Sequence, residues 1–313
     1  MNMELKIFLL RKLRLFPFLP RKLTARLTNA FLPLDPNDAK DDSQLHYPIM
    51  KARYFGLSYE LDLNEHVEFW AYFDGVYDFR TVYLMRRILA RIDAPVYMDV
   101  GANIGNHLLP VARLVKKVIA FEPNPLMIRK LEDNLKRNNI DNVLLSNFGL
   151  SNANEELPFY SNPVNPGAGS FVAEGNSLNR ATAANILSVK IGDEVVNKTE
   201  LSKLDFVKID VEGYEYEVIT GLRKTLEFFK PIVMFEFMGK ASHRKFQSLK
   251  SLYGLFPKGY HVCALGSSIR ARYFDHNAYD KPKLILYGKD YSNLIAFPKD
   301  KYSLVFGKGN QRG

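Results

Sequence analysis

Cysteine is almost missing from this chain: Cys263 is the single one among 313 residues. One thiol cannot close an intramolecular disulfide. That excludes a disulfide-stapled scaffold and a thiolate metal cluster, and a reducing compartment fits. Cys263 stands in the apolar run "YHVCAL" and reads as a small buried hydrophobe. Internal repeats, low-complexity tracts and zinc-ligand spacings are absent as well. Near the N-terminus, "MNMELKIFLLRKLRLFPFLPRKL" has no apolar run longer than Ile7 to Leu10 before Arg11, Lys12 and Arg14 break it. That is too short for a signal-peptide core and far too short for a membrane span. A cytoplasmic protein is expected, touching a membrane at most peripherally.

The composition that remains is 47% hydrophobic and 25% charged, the balance of an ordinary globular domain. The length suffices for one full α/β domain with additions. A net charge of +9 suits either an anionic partner (nucleic acid, acidic lipid or glycan) or simply a soluble basic surface. Residues 1–31 form a basic amphipathic segment. Leu5, Phe8, Leu9 and Leu13 share a helical face, with Lys6, Arg11, Lys12, Arg14, Arg21 and Lys22 around it. Such a helix either lies on an anionic membrane or packs on the main domain. Residues 32–95 read as an extension or cap. They open on a polar, proline-bearing loop (32–48), continue through an alternating strand or hairpin from Ala52 to Leu63, and end in a helix ahead of Val96.

The main domain, 96–313, is organised around "VYMDVGANIG", Val96 to Gly105. An apolar run ends in Asp99. Gly101, Asn103 and Gly105 follow, and Leu108, Leu109, Ala112 and Val115 then mark a helix. Strand, glycine turn and helix are the expected order. A residue without a Cβ lets the backbone bend sharply and approach a ligand. A second apolar run, "KKVIAFEPNP", ends in Glu122, 23 positions after Asp99. That is near the spacing at which an acid on the next strand reaches a ribose. Asn124 and Pro125 then suit the N-cap and first position of a helix.

"NVLLSNFGLSN" reads as a third strand ending at Asn147 to Gly149, and the turn-rich stretch 154–171 as a loop or irregular hairpin. A further strand ends near Asp193. "LDFVKIDVEGYEYEVITGL" is a second chemical centre: a buried strand, Asp210 at its end, Glu212 and Gly213 in the turn, then a helix. "KPIVMFEF" brings Glu236 to another strand end. The basic, aromatic stretch 266–291 is expected to be a substrate-side insertion. Strands alternating with helices imply a Rossmann-like, doubly wound, mostly parallel sheet, with ligands outside the carboxyl ends of its strands. Asp99, Glu122, Asn147, Asp210 and Glu236 all fall there.

Two cofactors compete for such a turn. A dinucleotide wants G-x-G-x-x-G, and Asn103 stands at the middle glycine. S-adenosylmethionine has no phosphate. It needs a carboxylate for the ribose, polar groups for its amino-acid part and a close backbone, which Glu122, Asp99 and Gly101 supply.

In order, "DVGANIG", "AFEPNP", "NFGLSN", Gly169–Ser170, "VKIDVEGYEYEVITGL" and "VMFEF" resemble the FkbM-type S-adenosylmethionine-dependent methyltransferases, from about Val96 to Phe237. The resemblance implies a class I methyltransferase fold and methyl transfer to a hydroxyl, often on a sugar or secondary metabolite. It implies that Asp99, Gly101, Asn103, Gly105 and Glu122 line the cofactor, with Asn147 and Gly149 near the adenine. Gly192–Asp193 departs from the family's usual leucine and aspartate, which leaves the role of Asp193 open. Asp210 and Glu212 are the candidates for base or acceptor positioning, with Lys208 and Glu236 nearby. Lys208 also reads as a strand residue paired to one of these acids. His107 and His261 are further candidate bases, but they lie at no expected strand end and read more readily as structural. Asp210, Glu212 and Glu236 could hold a divalent cation, a reading not favoured over a metal-free site. A nucleic-acid methyltransferase and a noncatalytic cofactor-binding protein attached to a membrane or partner are the alternatives.

Overall fold

Val96–Val100 (β3 in chain order) is buried at every position, as a strand must be when both faces of a sheet are covered. Its side chains alternate between two cores. Val96, Met98 and Val100 join one apolar cluster, and Tyr97 joins the other. The structure is a computed structural model and describes residues 3–14, 47–162, 165–172, 182–237, 245, 249–264 and 291–307. Most of the expected linker and all but the last residue of the 266–291 insertion lie outside them, as do Arg21 and Lys22.

In chain order the strands are β1 (Ile49–Tyr54), β2 (Leu57–Asp62), β3, β4 (Lys117–Phe121), β5 (Val143–Ser146), β6 (Gly149–Ser151), β7 (Glu155–Asn162), β8 (Asn165–Ser170), β9 (Thr182–Ile191), β10 (Phe206–Ile209), β11 (Ile232–Phe237), β12 (Tyr260–Ala264) and β13 (Tyr291–Pro298). Seven make the central sheet in the order β12-β13-β11-β10-β3-β4-β5. The run from β11 to β5 is parallel, and β13 is antiparallel to both its neighbours. The order reverses between β3 and β10, the switch point where a doubly wound sheet opens a crevice at its carboxyl edge. The fold is therefore the Rossmann-like α/β class expected from the sequence.

β1 and β2 form a hairpin whose two turn residues, Phe55 and Gly56, both have positive φ (52° and 73°), as a tight two-residue turn requires. Helix Met3–Arg14 packs against helix His66–Asp74 through Ile7 and Leu10, both buried. Arg11 donates to the Tyr72 carbonyl at 2.8 Å and covers its ring. The docking face differs from the one read in the sequence: Leu5, Phe8 and Leu9 point outward. No helix among the described residues is long and apolar enough to cross a membrane.

Two sequence expectations change. The third strand is two: β5 ends at Ser146, and β6 begins at Gly149 in a separate four-stranded sheet, β6-β9-β7-β8. Part of the turn-rich stretch thus supplies β7 and β8. The helix after Asp210 is also two, Glu215–Gly221 and Arg223–Phe229, joined at Leu222. Asp193 now has a role: its carboxylate accepts from Lys224 N, Thr225 N and Thr225 Oγ1, closing the open amides of the second helix.

Candidate active site

The glycine turn is a set of backbone bonds before it is a site. Gly101 N and Ala102 N both donate to the Phe121 carbonyl, at 2.9 and 3.0 Å. Asp210 N donates to the Val100 carbonyl at 2.9 Å. These bonds stitch the ends of β3, β4 and β10 together. Gly101, Asn103 and Gly105 all have positive φ (85°, 50° and 89°). Asparagine tolerates that region because its side chain bonds locally: Asn103 Oδ1 accepts from Ile104 N at 2.7 Å, and Nδ2 donates to the Gly167 carbonyl at 2.8 Å.

Glu122 follows β4 directly. One carboxylate oxygen accepts from Asn103 N and the other from Asn124 N, each at 2.8 Å. Asn124 in turn caps helix Pro125–Arg137 by accepting from Leu126 N. Burial nevertheless lifts the Glu122 pKa to about 7, the two backbone bonds offsetting only part of it. An acid short of donors beside an open cavity is suited to a ligand that brings hydroxyls.

The cavity, about 260 Å³, runs along the carboxyl edge of the sheet. Near Glu122 it is apolar: Phe121, Met127, Leu150, Phe159 and Phe171 line it. On the β10 and β11 side it is acidic, with Asp210, Glu212, Glu236, His107 and Tyr77. Glu236 and Glu122 stand on strands three places apart in the sheet, roughly 14 Å at the usual strand spacing. Ser170, on β8, reaches over and donates to the Glu212 carbonyl at 2.8 Å. Glu215 accepts from Val211 N and Gly213 N and so fixes the turn that carries Glu212.

Gly101, Asn103, Glu122, Gly149, Asp210, Glu212 and Glu236 are thus brought to one cavity. Four residues proposed from the sequence are not on its wall. Asn147 is exposed outside it. Gly105 backs onto Leu109 and Leu131. Asp99 lies one residue before the end of β3 and is sealed beneath the floor, its Oδ2 without a hydrogen-bond partner among the described residues. Burial lifts its pKa to about 6. Lys208, fully buried, donates to Asp210 Oδ2 at 2.9 Å from below. Burial alone would discharge Lys208, but Asp210, Glu236 and Asp78 keep it a cation. Burial would likewise raise Asp210, but Lys208 and His107 hold it low. Glu236 is pushed well up, by burial and then by Asp210 and Glu212.

Two further groups complete this side: His107, a possible base that reads from the sequence more readily as structural, and Asp78, which the sequence does not single out. His107 lines the cavity, with Nδ1 3.9 Å from Asp210 Oδ2 and Nε2 3.6 Å from Asp78 Oδ2. Asp78, held down to about 2 against its burial by His107 and Thr81, also accepts from Asn293 Nδ2 at 3.3 Å. Asp78 closes the stretch "FDGVYD" and stands 29 positions before His107. His261 is exposed on β12.

The buried acids set a pH dependence. Asp99, Glu122 (about 7) and Glu215 (about 7) have folded pKa values above their unfolded ones. The native state then holds protons that the unfolded chain releases, so stability falls as pH rises through this window. For Glu122 alone the loss is on the order of 3 kcal/mol. Asp78 and Asp210 act oppositely, stabilising above about pH 4 and losing that contribution in acid. Urea midpoints of the ligand-free protein are therefore expected to be highest near pH 5 and to decline towards pH 8. A midpoint that rises over that range contradicts the assignment.

The family model for the methyltransferase FkbM domain matches residues 99–261, more than half of the chain. The chain belongs to the FkbM methyltransferase family. It is 33% identical over 134 residues to the hexuronic acid methyltransferase AglP of Haloferax volcanii, covering 42% of this chain and 52% of that protein. It is 31% identical over 156 residues to methyltransferase sdnD of Sordaria araneosa, covering 41% of this chain and 60% of that protein. The chain thus spans between half and three-fifths of the length of these curated relatives. Among solved structures, methyltransferase FkbM from Methylobacillus flagellatus aligns with a TM-score of 0.42 at 16% identity, over 66% of this chain and 44% of that one.

Proposed function

We propose that this member of the FkbM family transfers a methyl group from S-adenosylmethionine to a hydroxyl of a sugar, glycan or glycolipid precursor, or secondary metabolite. The observation that carries the reading is the cavity's own charge pattern. A buried carboxylate at the end of β4 faces an apolar pocket, and no Lys or Arg occurs among the described residues lining the cavity. A dinucleotide would bring two phosphates to Asp210, Glu212 and Glu236, and a nucleic-acid backbone would bring more. A cofactor without phosphate avoids that cost.

The residues fit its parts. Glu122 would accept the ribose hydroxyls, the phenylalanine-lined wall would take the adenine, and Gly101 and Asn103 would leave backbone room for the amino-acid part. When bound, the cofactor supplies an electrophilic methyl group on a sulfonium. The chain's task is to hold an acceptor oxygen in line with it and exclude water. Asp210 is the candidate base, fixed by Lys208 and receiving the hydroxyl proton; Glu212 and Glu236 position the acceptor. The printed name of AglP, a hexuronic acid methyltransferase, supports a sugar acceptor.

The test is a screen of hydroxylated sugars and glycolipid precursors for a cofactor-dependent mass gain of one methyl. On the acceptor found, Asp210→Asn is expected to lower turnover by about 10²–10⁴-fold while the cofactor product S-adenosylhomocysteine still binds. Undiminished turnover removes Asp210 from the mechanism. Methylation of nucleic acid instead of any sugar overturns the substrate class.

A further inference from the structure

Helix Met3–Arg14 is apolar on two faces, and the body of the protein covers only one. Ile7 and Leu10 are buried in the main core, and the helix is seated on helix His66–Asp74, where Arg11 donates to the Tyr72 carbonyl. Leu5, Phe8 and Leu9 stand on the opposite side, 50%, 43% and 47% exposed. Spaced i, i+3 and i+4, they make one stripe. A helix that only packs on its own domain needs one apolar face, so the second face calls for a partner. The other large exposed apolar side chains among the described residues are scattered one to an element. Singles are ordinary surface, and a stripe is not.

Charge selects the partner. Lys12 lies within the stripe, exposed, one turn from both Phe8 and Leu9, with Nζ 5.3 Å from the centre of the Phe8 ring. Residues 1–31 carry seven Lys and Arg against one acid, Glu4. That is a net +6 of the chain's +9, held in a tenth of its length; the remaining 282 residues share +3. An anionic lipid surface complements such a helix. Apolar side chains enter the boundary between headgroups and acyl chains, and lysine stems run along it to the phosphates. A second copy of the chain would bring the same charge and be repelled.

We propose that helix Met3–Arg14 is a membrane-docking element. It lies flat on an anionic lipid surface, with Leu5, Phe8 and Leu9 in the headgroup–acyl boundary and Lys12 among them at the phosphates. Three apolar side chains give weak, reversible attachment on their own, so the basic charge supplies the rest. The docking does not rest on the methyltransferase reading, since none of these residues lines the cavity.

The experiment is co-sedimentation of the full chain with vesicles of phosphatidylcholine mixed with phosphatidylserine, and with vesicles of phosphatidylcholine alone. Light scattering of the protein without lipid accompanies it. Pelleting with the anionic vesicles, weakened by added salt, is expected. Phe8→Ser/Leu9→Ser should lower the partition coefficient by about tenfold or more, and Lys12→Glu by about fivefold or more. All three positions are exposed, so neither variant should move the thermal midpoint. No pelleting, equal pelleting with both kinds of vesicle, or pelleting that survives both variants overturns the proposal. So does a wild-type dimer that Phe8→Ser/Leu9→Ser converts to monomer, because it gives the stripe to a second copy.

Discussion

Gly101→Ala is expected to destabilise the protein by about 3–5 kcal/mol, combining overpacking with a left-handed backbone, and to abolish binding of S-adenosylhomocysteine. A Cβ at Gly101 would stand 1.8 Å from the Asp210 carbonyl oxygen and 2.9 Å from its carbon. Both are backbone atoms and cannot swing aside. The strand carrying Asp210 is tied to the same turn by the bond from Asp210 N to Val100, so relief at one end must part β3 from β10. The φ of 85° adds strain for any L side chain. Gly105→Ala is the control. Its φ is similar, but its Cβ would meet the side chains of Leu131 and Leu109, at 2.7 and 2.8 Å, and side chains can give. Urea unfolding of both variants should show the smaller loss at Gly105. Equal losses would mean that the close approach of Asp210 is not what selects glycine at 101.

Lys208→Met should cost about 3–5 kcal/mol, the usual penalty for stranding a buried charge. Lys208 is fully buried and is the cation that holds Asp210, 2.9 Å away, with Glu236 and Asp78 also favouring its protonated form. Without it Asp210 keeps only His107 against its burial. The double variant Lys208→Met/Asp210→Asn should recover much of the loss, because it removes both halves of the pair. Denaturant unfolding of the two singles and the double measures this. Strict additivity would show that Lys208 is held by packing alone.

Much of this was legible in the chain because it rests on local rules. An apolar run closed by an acid, then glycines, then a helical pattern, leaves little choice but β3 and its turn. Asn124–Pro125 starts its helix by bonds within three residues. Glu122, Asp210 and Glu236 were found because doubly wound sheets gather strand ends at one edge. What was not legible depends on distant partners. The pattern of "NVLLSNFGLSN" is the same whether it joins one sheet or two, and the crossing from β5 to β6 strands Asn147 in solvent. The helix after Glu215 breaks at Gly221, where a Cβ would strike the Ser151 carbonyl at 1.8 Å, a contact 70 residues away in sequence. His107 lies at no strand end, so the sequence favours a structural role for it. It became part of the site because Asp78, in a left-handed conformation at φ 47°, caps helix Phe79–Leu89 and turns its second oxygen towards the imidazole. Asp99 looked like a ligand contact, but its place one residue short of the strand end puts it under the floor.

The central claim is that Glu122 grips the sugar of a sulfonium nucleoside, and titrating S-adenosylhomocysteine into the wild type and Glu122→Ala at pH 8 and pH 6 tests it most directly. The carboxylate must be ionised to accept both hydroxyls, and its pKa is near 7. Wild-type affinity should therefore fall about tenfold between the two pH values, a span over which its ionised fraction drops by that factor. Glu122→Ala should stay folded, bind at least 100-fold more weakly, about 2.7 kcal/mol, and lose the pH dependence. No binding by the wild type, or equal binding by both proteins at both pH values, would contradict it.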